Sequence, residues 1–448
     1  MRRVVIALSL IGLSAGTAAA QSGAMLAGSV AEGAVRTEVL PLSLSDAVAR
    51  GLRTNLGVLA SAQQVELARG AEQRTRRELM PQVNGRIAES RQTNNLAAFG
   101  FDMSLFPGMS SLVGPFNIFD ARIYASQQVV NLSARSDAQR AALVVDAAEL
   151  DREDTREWVV FTVTRLYLQA AATGERVATT RTQVATAEAL SKMASDMRAA
   201  GTVPGIDVVR AGVQVQEQKQ RLIAAETEHR RLLLQLQRAI GVPVAQAVSL
   251  TDRSLALASP PMEVAAAVAL AAEQRADYRA ATTRLRAAET ALTAARRESL
   301  PSLAVTADVG TIGSSASNAL RTYAMAGAVR VPIFDVGRRG RVAESMAALK
   351  LRQAEAADFV QRLEADVQTA FLDLQAAEQQ VTVVGERVAL ANQELALART
   401  RFSAGVTSNL EVIQAQVAVA TATDQQIASA LGLNLARAHL MKVLGQTP

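Results

Sequence analysis

Arg76-Arg77-Glu78-Leu79-Met80-Pro81-Gln82-Val83 reads RRELMPQV, and 220 positions further on, Arg296 to Leu303 reads RRESLPSL. In both stretches a helix-favouring run stops at a proline, Pro81 or Pro301, which disfavours helical geometry in the residue before it. Arginines in the last helical turn suit the negative end of the helix dipole. After each proline the pattern turns extended. One chain therefore ends two helices and begins two strands with the same phrase.

A second register holds at a spacing of 204. Arg198 to Val215, RAAGTVPGIDVVRAGVQV, matches the region Ser403 to Val419, so Gly201 falls on Gly405 and Asp207 on Glu411. Keeping that offset, Gly241 falls on Gly445, and Asn131 to Arg135 on Asp335 to Arg339. Self-similarity over this length makes the chain a duplication. The change from 220 to 204 places an insertion in the first copy within 93–118, TNNLAAFGFDMSLFPGMSSLVGPFNI, a segment rich in Gly, Pro, Ser and Phe. An extracellular flap, an interfacial aromatic anchor and a disordered loop all fit it.

The periodicity switches within each copy. Leu374, Ala377, Val381, Val384, Val388, Ala391, Leu395, Ala398 and Phe402 alternate spacings of three and four, a heptad seam. The first-copy seam, Leu166, Ala170, Thr173, Val177, Thr180, Val184 and Ala187, is smaller and more polar. Beside the insertion the period becomes two: Phe119, Ala121, Ile123 and Ala125 alternate with Asp120, Arg122, Tyr124 and Ser126. The expected order per copy is helix, strand, strand, long helix, tight turn, helix. Strands are expected at about 82–91, 119–131, 302–310 and 322–333, and tips near 200–207 and 404–411. Single helices are expected over about 45–79 and 262–299. The two copies span 42–258 and 259–448.

Composition suits this layout. Apolar residues make up 49% of the 448, yet aromatics only 3%, which favours thin seams between long helices over thick cores. The net charge of +5 is spread along helices that also carry acids, so no nucleic-acid stripe is expected. Residues 1–20, MRRVVIALSLIGLSAGTAAA, read as a secretory signal peptide, followed by a flexible mature N-terminus over 21–41. With Gln21 after the expected cut and 0 Cys, neither a lipid anchor nor a disulfide is expected. His229 and His439 are isolated and not equivalent under the repeat. No catalytic, cofactor or metal constellation is expected, and Trp158 reads as a packing residue.

Strands of about ten residues with alternating polarity have the length to cross a bilayer at a slant. One chain supplies four, whereas a closed barrel needs roughly eight or more, and an open edge is not viable in lipid. Chains must pool strands, two giving eight and three giving twelve.

The duplicated layout over about 42–445, the phrase Pro332-Ile333-Phe334-Asp335-Val336-Gly337-Arg338-Arg339 and the turn Arg401-Phe402-Ser403-Ala404-Gly405 resemble the TolC-type outer-membrane efflux proteins. The resemblance implies a mostly α chain with a β-barrel contribution: a homotrimer with a twelve-stranded outer-membrane barrel continuing into a long α-helical periplasmic barrel. It implies a passive channel of a tripartite efflux or type I secretion system, exporting small molecules or proteins. The partners implied are a periplasmic adaptor and an inner-membrane pump of RND or ABC type. Arg198, Gly201, Arg401 and Gly405 would be the adaptor-contacting tips, and Asp207 and Glu411 the pore entrance. Pro81, Pro301, Gly337, Arg338 and Arg339 mark the helix–strand junctions, where basic clusters either hold outer-membrane lipid phosphates or are solvated helix ends. Plainer readings stand beside these: the glycines as helix C-caps, and the acids as ordinary first-turn residues. The first copy departs at its tip, with Met197 at the position of Arg401 and Pro204-Gly205 in place of Ser408-Asn409. A periplasmic coiled-coil adaptor or scaffold without a pore is the second function class.

Overall fold

The computed structural model describes residues 28–100, 108, 110–252, 257, 262–404 and 406–446. The expected signal peptide lies outside them. The chain divides into two compact units, one of Met1–Gln64, Glu149–Arg279 and Asp358–Pro448, the other of Val65–Ala148 and Ala280–Ala357. In order the elements are β1 Leu40–Leu42, α1 Leu44–Thr54, α2 Leu56–Arg76, β2 Gln82–Asn95, β3 Leu112–Val130, α3 Leu132–Ala199 and α4 Gly205–Ala239. They continue as β4 Val248–Leu250, α5 Val264–Gln274, α6 Ala276–Arg297, β5 Ser302–Gly313, β6 Leu320–Arg330, α7 Arg338–Ser403 and α8 Asn409–Val443. No helix among the described residues is long and apolar enough to cross a membrane.

The first unit is helical, and its two cores repeat each other. Ala47, Val159, Val163, Leu236 and Ile240 form one buried cluster. Their equivalents Ala267, Leu363, Val367, Leu440 and Leu444 form another. The heptad positions carry the burial expected of them: Leu374, Ala377, Ala391, Ala398 and Phe402 are buried on α7, and Leu166, Ala170, Val177, Val184 and Ala187 on α3. The parallel pair β1–β4 closes the first of these cores, with Tyr167 Oη donating to the Leu42 carbonyl at 3.0 Å.

Three expectations are corrected. The helices expected over 45–79 and 262–299 are each broken, at Asn55 and at Arg275. From Gly28 the N-terminal segment is pinned rather than flexible: Val30 N donates to Thr54 O at 3.0 Å, Glu32 N to Gly241 O at 2.9 Å and Arg36 N to Gln246 Oε1 at 2.7 Å. The insertion also lengthens the first hairpin, because Asn94 pairs with Val113 and Asn95 with Leu112.

The second unit holds an antiparallel sheet of order β2-β3-β5-β6. Strand pairing sets every side chain's face, because opposed residues point the same way. Gly85, Ile123, Val309 and Tyr323 form one row; Val83, Ala125, Ala307 and Met325 form the next. On this apolar face Ile87 is 80%, Tyr323 84% and Met325 78% exposed. Further along the same face Glu89 and Arg91 follow on β2, so the apolar band has a charged border. The opposite face carries Asn84, Arg86, Arg122, Tyr124 and Asp308.

Candidate functional site

The helical tip is built by hairpins in the first unit. α3 ends with Thr202 N donating to Met197 O and Gly201 N to Arg198 O, both at 3.0 Å. This is the paired bonding of a Schellman ending, and Gly201 takes the required positive φ of 75°. Arg198 lies across Gly205, where an added Cβ would meet its guanidinium carbon at 3.4 Å. At the second tip Gly405 lies outside the described residues, but Val406 N donates to Arg401 O at 3.0 Å, the same long reach. Leu190, Ala398, Phe402, Val412 and Ala415 pack as one cluster with Met197 and Val203 beside it. The two tips are therefore joined by apolar packing.

The two tip acids are equivalent in sequence and unequal in setting. Asp207 has a side chain only 4% exposed, 3.7 Å from Arg210 Nη1, and its carbonyl accepts from Asn409 Nδ2 at 3.3 Å. Glu411 is 38% exposed, bonded by the Thr407 hydroxyl and 3.3 Å from Arg401 Nη1. Both sit in a first helical turn, where the positive dipole end favours them.

In the second unit the strand-to-helix phrases are capped alike. Asn131 Oδ1 accepts from Ala134 N at 2.9 Å before α3, and Asp335 Oδ1 accepts from Gly337 N at 2.8 Å before α7. Arg341 bonds Asp335 and also Glu298 Oε2 at 2.7 Å, tying α7 to the end of α6. That guanidinium, together with the Gly337 amide, holds the Asp335 carboxyl below the usual carboxylate range. Arg338 and Arg339 are exposed. Pro81 and Pro301 each stand immediately before a strand, as their sequence context requires.

On the polar sheet face Arg122 Nε and Nη2 bond Asp120 at 2.7 and 2.5 Å, while Nη1 reaches Asp308 at 3.1 Å. β3 belongs to the first copy and β5 to the second. This clamp therefore crosses the pairing that joins the copies within the sheet.

A mostly helical duplicated chain with a four-stranded sheet and an exposed apolar face can be compared with known proteins. Residues 267–446 match the family described as Outer membrane efflux protein. Over that stretch the chain is similar to the outer membrane efflux proteins. It is 26% identical over 378 residues to the "Pyoverdine export outer membrane protein OpmQ" of Pseudomonas aeruginosa, covering 82% of this chain and 77% of that one. Among solved structures, a membrane protein from Pseudomonas aeruginosa superposes with a TM-score of 0.80 at 21% identity, covering 93% of this chain and 95% of that one. The Campylobacter jejuni CmeC outer membrane channel superposes with a TM-score of 0.78 at 16% identity, covering 90% and 85%. The fold is that of the TolC-type channels.

The family match lies within the second copy, whereas the least expected feature of the helical unit occurs once in each copy. Asn55 and Arg275, 220 apart, both leave the helix with extended ψ values of 133° and 119°. Each break faces a positive-φ glycine ending a returning helix, Gly241 (φ 70°) or Gly445 (φ 74°). A Cβ on Gly241 would stand 2.5 Å from Thr54 Oγ1, and one on Gly445 2.9 Å from Arg275 N. The first break is neutral: Asn55 Nδ2 donates to Ala239 O at 3.1 Å and its Oδ1 accepts from Gly57 N at 2.9 Å. The second is charged: Arg275 bonds Asp277 at 2.8 and 3.1 Å and Asp366 at 3.1 Å.

Next to that charged break Lys442 is buried, 3.4 Å from Asp154 and 4.2 Å above the Trp158 ring. Trp158 is thus more than packing; it holds a cation. Burial pushes the Glu157 carboxyl up to about 7, against the lowering pull of Lys442, and raises Asp154 as well. A carboxyl raised in the folded state stabilises below its unfolded pKa, and that contribution is lost as pH rises through the folded value. Thermal unfolding followed by helical dichroism should therefore show wild type losing stability between about pH 5 and pH 8 relative to a variant that lacks this carboxyl. Glu157→Gln should gain most, against wild type, at the alkaline end; a difference that does not change with pH would remove Glu157 as its source.

The two histidines are structural. His229 Nδ1 donates to the Ala170 carbonyl at 3.1 Å, with Gly174 leaving room for the ring. His439 packs against Phe161 with centroids 5.9 Å apart and the rings tilted by 47°. Burial lowers the pKa of both. Among the described residues no group of three His, Cys, Asp or Glu side chains could hold a metal.

Proposed function

We propose that the chain is one protomer of a passive trimeric channel in the outer membrane. It receives cargo from a periplasmic adaptor coupled to an inner-membrane pump and releases it outside. The observation that carries this reading is the sheet: its apolar face is exposed, it has a charged border, and the outer edges of β2 and β6 have no strand partner among the described residues. In water such a face is a liability, and in lipid the open edges must be closed. Three chains would pool twelve strands into one barrel, within the size range of known outer-membrane barrels. The family match over residues 267–446 supports an export channel, and the relative's printed role in pyoverdine export points to the efflux branch. Small molecules or proteins, and RND or ABC pumps, are open within the reading. A pore-free periplasmic adaptor leaves the apolar sheet face without a role.

Extraction and mass measurement test the proposal. The protein should leave the outer-membrane fraction only in detergent, with a native mass of three chains, and should conduct in planar bilayers. A stable single chain in detergent, or release by salt alone, would sink it.

The tip acids complete the reading. Asp207 and Glu411 from each chain are placed around the narrow periplasmic entrance, where carboxylates concentrate cations. Asp207→Asn with Glu411→Gln keeps the shape and removes both charges, so cation preference in single-channel recordings should fall. Unchanged selectivity in an assembled channel would leave these acids only their helix-terminal role.

A further inference from the structure

In the helical unit the α3–α4 and α7–α8 hairpins enclose a cavity of about 300 Å³. All four helices line it: Thr186 from α3, Gln214 and Gln218 from α4, Leu395 from α7, and Gln416 and Val419 from α8. Its mouth lies at Thr182 and Arg399, which are exposed. Inside, Gln214 and Gln218 are only 5 and 3% exposed. Gln214 Nε2, Gln218 Oε1 and Gln416 Oε1 are buried and have no hydrogen-bond partner among the described residues. Buried polar side-chain atoms are nearly always bonded. Three left open around one cavity point to an occupant.

The fold does not require these amides. Under the 204-residue offset Gln214 corresponds to Ala418 and Gln218 to Ala422, and Ala422 is fully buried. Alanine therefore fills the same helical positions in the second copy. Water alone is a poor occupant. At ~30 Å³ each, about ten waters would fill the volume, and each needs roughly two to four hydrogen-bond partners. The walls offer few. Leu395, Val419 and Ala420 present carbon, and the Thr186 and Thr423 hydroxyls already donate to the Thr182 and Val419 carbonyls at 2.9 and 2.8 Å. Apolar walls with a few convergent polar groups are the makeup of a small-molecule site, and the volume meets the lower end of the ~300–1,000 Å³ such sites span.

We propose that this cavity binds a small uncharged molecule with an apolar skeleton and a few hydroxyl or amide groups. Its hydroxyls donate to Gln218 Oε1 and Gln416 Oε1, one of them accepts from Gln214 Nε2, and its skeleton packs on Leu395 and Val419. Charge is selected against in both directions. Among the described residues no carboxylate lines the cavity, and Arg399 at the mouth repels cations. Two amide oxygens inside disfavour an anion. A molecule held there touches both hairpins and ties them together. The inference goes beyond the channel reading and does not rest on it, because every residue of the site lies in the helical unit of one chain.

Cyclohexane-1,2-diol is a probe of this class, with a carbon ring, adjacent hydroxyls and enough water solubility to stay largely outside micelles. Equilibrium dialysis of the full chain, purified in detergent, against labelled diol should show saturable binding at a single site per chain. Thermal unfolding followed by helical dichroism should move upward at saturation, because the probe binds only the folded state. Gln218→Ala and Gln416→Ala should each weaken binding by roughly tenfold, the worth of one buried hydrogen bond. Gln220→Ala, an exposed change on the same helix, should leave it unchanged. Gln218→Ala introduces the residue that the second copy already carries, so its dichroism should match wild type. No saturable binding to wild type would overturn the proposal and leave a cavity that holds water. Equal binding by wild type, Gln218→Ala and Gln416→Ala would overturn it too, placing the probe in micelles or elsewhere on the chain. Neither result alters the native mass and conductance by which the channel reading is judged.

Discussion

Gly310→Val is expected to abolish outer-membrane assembly while leaving the chain synthesised and exported. Gly310 lies opposite Arg122 in the β3–β5 ladder. A Cβ there would stand 2.6 Å from Arg122 Cα and 2.7 Å from its Cγ, and closer still to the Ala121 carbonyl oxygen. Two of these three atoms belong to backbone, so the neighbour has no rotamer to escape into. Ordinary overpacking costs ~1–3 kcal/mol, and a clash with paired backbone should reach or exceed the upper end of that range. The site is also where the two copies join within the sheet, and where Arg122 reaches across to β5 to bond Asp308. Heat-modifiable migration and protease protection in isolated outer membranes would report assembly. Normal amounts of protected protein from Gly310→Val would show that the β3–β5 pairing tolerates the added side chain. Asp308→Asn separates the two effects, because it weakens the clamp without adding bulk and should assemble.

Arg275→Met should be the most damaging substitution at the helix breaks. Arg275 has a side chain 7% exposed, and it neutralises Asp277 and Asp366, which are 22 and 39% exposed. Removing one partner of a buried ion pair costs ~3–5 kcal/mol, because the other charge is left uncompensated. The half-exposed Asp366 places the expected loss at the lower end, roughly 3 kcal/mol. Burial works to raise the Asp277 carboxyl, and the Arg275 guanidinium overrides it, holding the carboxyl low. Without that guanidinium, burial is opposed only by Lys442 and the Tyr278 amide. The double variant Arg275→Met with Asp277→Asn should therefore recover part of the loss in chemical denaturation. Asn55→Ala at the neutral break should cost less, since it removes one donor and one acceptor and leaves no buried charge. Equal losses at the two breaks would mean that Arg275 acts through shape alone.

Much of this architecture was legible in the residues. The offsets of 220 and 204 are carried by short phrases, and duplicated sequence folds into duplicated structure because each copy buries the same positions. The heptad seam on α7 and the alternating faces of β3 and β5 follow from period alone, since 3.5 and 2.0 residues per repeat admit only a helix and a strand. Helix stops at Pro81 and Pro301, and the turn at Gly201, rest on backbone sterics that one residue settles.

Other features required contacts distant in sequence. Nothing local marks Asn55 or Arg275 as a break, because neither is Pro or Gly and each lies within a helix-favouring run. The chain bends there because Gly241 and Gly445, about 170–190 positions away, pack against the bend, and because Ala239 supplies an acceptor for Asn55. The segment from Gly28 looked unconstrained in composition, yet its backbone bonds lie with Thr54 and Gly241. The extra hairpin pairs at Asn94 and Asn95 depended on Val113 and Leu112 arriving in register. The equivalence of Asp207 and Glu411 was written in the repeat, while their unequal settings came from Arg210 on one side and from Thr407 and Arg401 on the other. Local sterics and periodicity act through near neighbours and can be read from one strip of chain. Burial, ion pairing and register depend on which distant residues meet, and only the tertiary structure decides that.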